Sequence, residues 1–400
     1  MKKHASVIVR IVLAVAGITY IALSLTWRDH VLVPLAYTYP DGVVNGDEEA
    51  RLEVVNVTRQ HIVALRGEAD AATPITFSRG MLDRDETTPE FHESIVRTLR
   101  EARWSYLLWG LLAVGTIYPI QVVRWIILLR SQGIDVAWGR AFRLTMVGSF
   151  FNLCMPGTTG GDLLKAYYAA KRSERRGAAV VSVIFDRLTG LFGLVVFAGV
   201  AGLFILDHPV GRRITLYIWL GIAATVLLAA VYFSRRLREV LGINALMRRF
   251  HEEHLINRID RTVGAYSHHK TAVLMAVLIS LPVQLAISWA TALAGYALGI
   301  DPAKVPYLLM MVVTPIVFLV GAIPLTFQGV GVMEWTALQL LQGTGAATFN
   351  QIVGMLLLSR LFLVFYSLFG SIYLLRGDIH LHEAQAADLD SLPAPDAATK

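Results

Sequence analysis

The chain has 400 residues, 55% of them hydrophobic and only 16% charged, and a mean hydropathy of +0.55; that balance excludes an ordinary soluble domain, in which about a quarter of the residues are charged. The formal net charge of +6 does not point to nucleic acid, because the basic residues gather in short loops beside apolar stretches, as they do on the cytoplasmic side of membrane proteins. The single cysteine, Cys154, excludes an intramolecular disulfide.

In chain order, residues 5–27 are apolar apart from Arg10 and match the span of about 20 residues that crosses the hydrocarbon core. A cleaved signal peptide is the alternative, but no small-x-small site precedes Trp27-Arg28, so a retained anchor is expected. Residues 28–103 hold nine Arg, no Lys and fourteen acidic residues and are too polar to span. The basic N-terminus then lies in the cytoplasm and this segment outside. Within it, 51–58 and 61–65 alternate or are β-branched between Gly and Asp-rich turns, which predicts a small β-module. Residues 90–103 are expected to form a helix that leads into the membrane.

Further spans are predicted at 104–129, 178–206, 214–233, 271–298, 305–323 and 351–375. Between them, 234–270 carries eight basic and four acidic residues and reads as a cytoplasmic loop. The tail, 376–400, is rich in Ala, Asp and Pro and is expected to be disordered.

One segment breaks the count of spans. Residues 144–165 have Arg140 and Arg143 before them and Lys171, Arg172, Arg175 and Arg176 after them, which puts both ends in the cytoplasm. Their middle holds Asn152, Pro156, Gly157, Gly160, Gly161 and Asp162, and Pro with clustered Gly does not continue a helix. A re-entrant pair of half-helices satisfies both facts, provided the break is buried in protein or lines a wet cavity. A second break, around Pro324, Gln328, Gly329, Gly331 and Glu334, repeats the order of Pro, Gly and acid. Two broken helices in two halves of a membrane protein point to a transporter-like site and to a possible inverted repeat. Residues 325–348 either re-enter or cross; crossing, the reading preferred here, returns the tail to the cytoplasm.

The glycines before Asp162 leave backbone N–H groups that could face an anion, while the plainer alternative makes Asp162 a helix N-cap. Charges inside the bilayer need partners or water. Arg124 and Lys165 are read as snorkelling cations, Asp186 and Arg187 as a possible ion pair, and Arg360 as a cation that must meet Glu334, Asp162 or a ligand phosphate. No Ser-His-Asp, Cys-His or metal-ligand grouping stands out, so no enzyme activity, metal or cofactor is expected.

Asn152 with Pro156-Gly157 and Gly160-Gly161-Asp162, then Lys165, Asp186-Arg187, Gly190-Leu191 and finally the stretch from Pro324 to Gly331 and Glu334 resemble the flippase-like family related to the membrane domain of lysylphosphatidylglycerol synthase. The likeness covers 104–375. It departs at Gln328, where the family often has Gly, and in the outer β-module, which is not part of the family's common core. The resemblance implies a multi-helix domain that moves or exposes a lipid. No soluble aminoacyl-transferase domain follows, so synthesis of a lysyl-lipid is not implied.

The expected protein is therefore an all-α polytopic bundle of the cytoplasmic membrane, with about seven or eight spanning helices, one or two re-entrant helices and a small outer β-module. Its domains are 1–27, an anchor; 28–103, the module; 104–375, the flippase-like domain; and 376–400, the tail. The expected function is translocation of a phospholipid or glycolipid, with an intramembrane lipid-phosphate enzyme or a scaffold as alternatives. The expected partner is a membrane lipid and not nucleic acid, and a homo-oligomer is left open. The candidate substrate-binding residues are Asn152, Pro156, Gly157, Gly160, Gly161, Asp162, Lys165, Asp186, Arg187, Gln328, Gly329, Gly331, Glu334 and Arg360.

Overall fold

The computed structural model describes residues 25–375 with Thr19 and Leu23, except for 36, 47–49, 59, 67–71, 83–87, 155–159, 172–175, 207–208, 234–265, 267–268, 324–325, 327–328 and 342–346. Most of the expected anchor, the basic loop, the tail, and Pro156, Gly157 and Gln328 lie outside the described residues.

Strands β1 (His30–Val33), β2 (Ala50–Val57), β3 (His61–Arg66), β4 (Thr73–Ser78) and β5 (Glu90–His92) form one sheet in the order β4-β3-β2-β1-β5, antiparallel throughout. Alternation along β1, β3 and β4 puts Val31, Val33, Ile62, Ala64, Ile75 and Phe77 into one buried cluster. The segment 90–103, expected as one helix, is instead β5, a short helix α1 (Ile95–Arg100) and a break. Two contacts account for this. Edge pairing draws Glu90–His92 onto β1, and the Ser94 side chain caps α1 by accepting from the Arg97 N–H.

The helices that follow are α2 (Trp104–Ser131), α3 (Trp138–Cys154), α4 (Gly160–Lys171), α5 (Arg176–Gly202), α6 (Pro209–Phe233), α7 (Lys270–Ala297), α8 (Tyr307–Ala322), α9 (Val332–Leu341) and α10 (Phe349–Leu375). Four of them are long and apolar enough to cross a bilayer: Trp104–Ser131, Gly177–Gly202, Lys270–Ala297 and Phe349–Leu375. The expected span at 214–233 lies within α6, of which Thr215–Leu227 is described as an apolar helix, and that at 305–323 is the shorter apolar helix Tyr307–Ala322. Leu108, Trp109, Leu112, Leu274, Leu278, Leu361, Phe365 and Leu368 point outward. The faces turned inward carry small residues: Gly110 lies beside the Phe362 ring and Gly370 beside the Met146 carbonyl. Apolar outside and small inside is the pattern of helices solvated by lipid.

The bundle has two halves of like order. Each runs from a long helix with an internal Pro (α2 with Pro119, α7 with Pro282) through two short helices to a second long helix. The two long Pro-bearing helices, α2 and α7, pack along each other, and each half sends a short helix across to the other: α3 packs on α10 and α8 on α5. At 16 and 10 residues, α8 and α9 reach about 24 and 15 Å, short of the roughly 30 Å core. Helix α9 is the short helix that follows the second break. It folds back on α8, with the Gly329 backbone against Gly321.

Candidate functional site

In the first half, α3 and α4 form a tight hairpin. A methyl group on Gly161 would run into the Gly148 carbonyl, so both positions are small because two helix backbones touch there. The Asn152 side-chain oxygen accepts from the Gly161 N–H at 2.8 Å. This fills one of the donors that the start of a helix leaves open, so the Gly161 amide is taken by protein and does not wait for an anion. Asp162 is not the N-cap. It stands third in α4 and pairs with Arg187 on α5.

The second half repeats this in other residues. Glu334 stands third in α9 and pairs with Arg360 on α10; its other oxygen accepts from the Gly331 N–H at 2.8 Å, one half of a capping box. Gly331 and Gly329 have φ of 86° and 72°, which suits glycine and disfavours a side chain. Arg187 and Arg360 are each the twelfth residue of their helices. Each half thus offers an acid at the same place in its second short helix and a guanidinium at the same place in the long helix that follows.

Asp186 and Arg187 are not an ion pair with each other. Asp186 accepts from Arg124 Nε at 2.8 Å and from Lys165 Nζ at 3.1 Å, and Arg124 also donates to Ser280 Oγ at 2.8 Å. Lys165 lies over the Trp125 ring at 4.0 Å, a cation–π contact. Arg124 and Lys165 are each 6% exposed, so neither snorkels to an interface. The triad ties α2, α4 and α5 together from inside. The positions that correspond to Lys165 and Asp186 in the second half, three after the acid and one before the arginine, are Ala337 and Ser359, both buried.

The two breaks flank a cavity of about 400 Å³. Asn152, Arg187 and Arg360 line it, along with Gln121, Ser149 and Ser367 and apolar residues such as Ile117, Phe318 and Leu363. Asp162, Lys165, Asp186 and Glu334 do not line it. The acids therefore hold the guanidiniums from behind. Arg187 and Asp162 are 31% and 32% exposed, whereas Arg360 and Glu334 are 19% and 3%. Two planar forks facing one partly apolar space suit a phosphate that carries a hydrocarbon portion. Gln121, Ser149 and Ser367 escaped the sequence reading because single uncharged polar residues are common in apolar helices; their one signal is that they interrupt apolar runs.

A family model described as the lysylphosphatidylglycerol synthase TM region matches residues 92–370. The chain belongs to this family. Membership makes it an integral membrane protein of a family that acts on lipids, in agreement with the apolar helices. The match begins at β5 and takes in α1 to α9 and most of α10, so the other four strands of the sheet precede the family's segment. No curated protein matches the chain.

Proposed function

We propose that the protein moves a phospholipid or glycolipid between the leaflets of the cytoplasmic membrane. The observation that carries this reading is the cavity between the two broken helices, onto which Arg187 and Arg360 both open. A headgroup phosphate enters between the guanidiniums and takes over hydrogen bonds now made by Asp162 and Glu334, while the acyl chains stay in lipid. The two halves then rock about the α2–α7 contact and expose the cavity to alternate sides. In this reading the N-terminus is cytoplasmic, the sheet lies outside, and the protein acts as a transporter and not as an enzyme.

The test is headgroup accessibility in vesicles reconstituted with the full chain and a fluorescent phospholipid. Protein-containing vesicles are expected to expose the inner-leaflet label faster than empty ones, and Arg187→Gln or Arg360→Gln to return the rate to baseline. Equal rates in empty and loaded vesicles would refute it.

A further inference from the structure

A second cavity, of about 430 Å³, lies between the sheet and the helical bundle. Arg79, Leu82 and Phe91 form its sheet side, and Arg103, Ala297, Leu298, Gly299, Thr348 and Gln351 its bundle side. The second set marks the ends of α2, α7 and α10, all long enough to cross a bilayer. The cavity therefore stands where a bilayer's hydrocarbon gives way to its headgroups.

Its walls are fixed. The Asn350 side chain donates to the Glu93 carbonyl at 2.7 Å and accepts from the Thr26 N–H at 3.1 Å. Asp29 accepts from the Ser94 N–H and from Arg97, each at 2.7 Å. The Arg103 N–H donates to the Ala297 carbonyl at 2.9 Å. These contacts hold the sheet on the bundle and preform the space between them.

The lining carries charge of both signs: Arg79 and Arg103 against Glu93 and Glu101. Arg79 and Glu93 are 3.4 Å apart and Glu101 pairs with Arg97 at 2.9 Å, while among the described residues no acid pairs with Arg103. We propose that this cavity binds a zwitterionic phospho-amine headgroup, its phosphate on Arg103 and Arg79 and its ammonium on Glu93 and Glu101. An anionic headgroup would meet the two acids and a cationic one the two arginines; a group with both charges offends neither. Burial, and after it the neighbouring Glu101, pushes the Glu93 carboxyl above its usual range, and an ammonium beside it relieves both effects. The site stands apart from the Arg187–Arg360 cavity and does not rest on the translocation reading.

The experiment titrates the purified full chain in detergent with three probes: dihexanoyl phosphatidylethanolamine, dihexanoyl phosphatidylglycerol and phosphoethanolamine. Binding is read by microscale thermophoresis. The zwitterionic lipid is expected to bind at least about tenfold more tightly than the anionic one. Arg103→Gln and Glu93→Gln are each expected to weaken it about tenfold, with Arg103→Lys restoring most of the loss. Because Arg103 supports the fold through its backbone N–H, the Gln variant keeps that contact. Phosphoethanolamine binding as tightly as the lipid would assign the site to the soluble phospho-amine and uphold the chemistry. Equal affinity for the two lipids, or unchanged binding in both Gln variants, would overturn the proposal.

Discussion

The buried triad gives the sharpest test of what holds the first half together. Asp186→Asn preserves shape but removes the charge that two cations share, Arg124 at 2.8 Å and Lys165 at 3.1 Å. What remains in direct contact with them is Ser280 Oγ and the Trp125 ring, neither of which neutralises a charge, with the Asp162 carboxyl acting on Lys165 from further off. Breaking a buried pair by removing one partner costs about 3–5 kcal/mol, because the other charge stays desolvated. Two are stranded here, so the upper end applies, roughly a thousandfold or more in the folded-to-unfolded ratio. The assay is the unfolding midpoint of the full chain in mild detergent, with Asp162→Asn as a comparison. Asp162→Asn takes a counter-charge from one arginine rather than two cations, and that arginine opens onto the cavity, so that change costs less. The double variant Asp186→Asn with Lys165→Met is expected to recover part of the loss, since it strands one cation fewer. Equal midpoints for Asp186→Asn and the parent protein would refute the reasoning and mean that water reaches the triad.

Other outcomes follow from single contacts. Gly161→Ala drives a methyl into the Gly148 carbonyl; a backbone carbonyl cannot rotate away, so a loss of about 1–3 kcal/mol is expected in the same assay, and an unchanged midpoint would mean that α3 and α4 are not in contact. Glu334→Gln keeps an acceptor for the Gly331 N–H but not the charge facing Arg360; transport of an anionic lipid in the vesicle assay should change more than the unfolding midpoint, and the reverse would make Glu334 purely structural. Burial, reinforced by nearby Arg51 and His92, holds the His30 imidazole below its ordinary 6.5. The unfolded chain then takes up a proton that the folded sheet refuses, so His30's contribution is complete above about pH 6.5 and is lost as pH falls through the folded value. Hydrogen exchange in β1 and β5, corrected for intrinsic rates, should show less protection at pH 5 than at 7.5, and His30→Gln should flatten that slope; equal slopes would contradict it.

Much of the fold was legible because lipid and sheet both impose short periods. The long helices were recovered within a few residues of their ends, and β2 and β3 followed from alternation. Strand β4 was not, since Thr73–Ser78 contains Pro74, and β1 is four residues long beside an apolar stretch. Residues 90–103 misled because the pairing that extends β5 comes from β1, about sixty residues earlier. At the site, the charged residues stood out but their partners did not. Asp186 and Arg187 are adjacent in sequence, yet successive residues of a helix point about 100° apart, so one turns to Arg124 and Lys165 and the other to Asp162.

The likeness of the halves separates what the fold requires from what this site adds. Both have an acid third in the second short helix and an arginine twelfth in the next long one; at 1.5 Å per residue each arginine stands about 17 Å along a helix of about 40 Å. A cation so far from either end is costly in lipid without a counter-charge, and a broken helix supplies one, because the start of its second piece can lie deep in the bundle. The same comparison shows that the triad is no requirement of this architecture. Ala337 and Ser359 fill the positions of Lys165 and Asp186 in the second half, and that half closes around them without a buried charge there. The two acid–arginine pairs thus belong to the repeated plan and face the cavity with their cations, whereas the Arg124–Asp186–Lys165 cluster is an addition that locks α4 to α2 and α5 on one side alone.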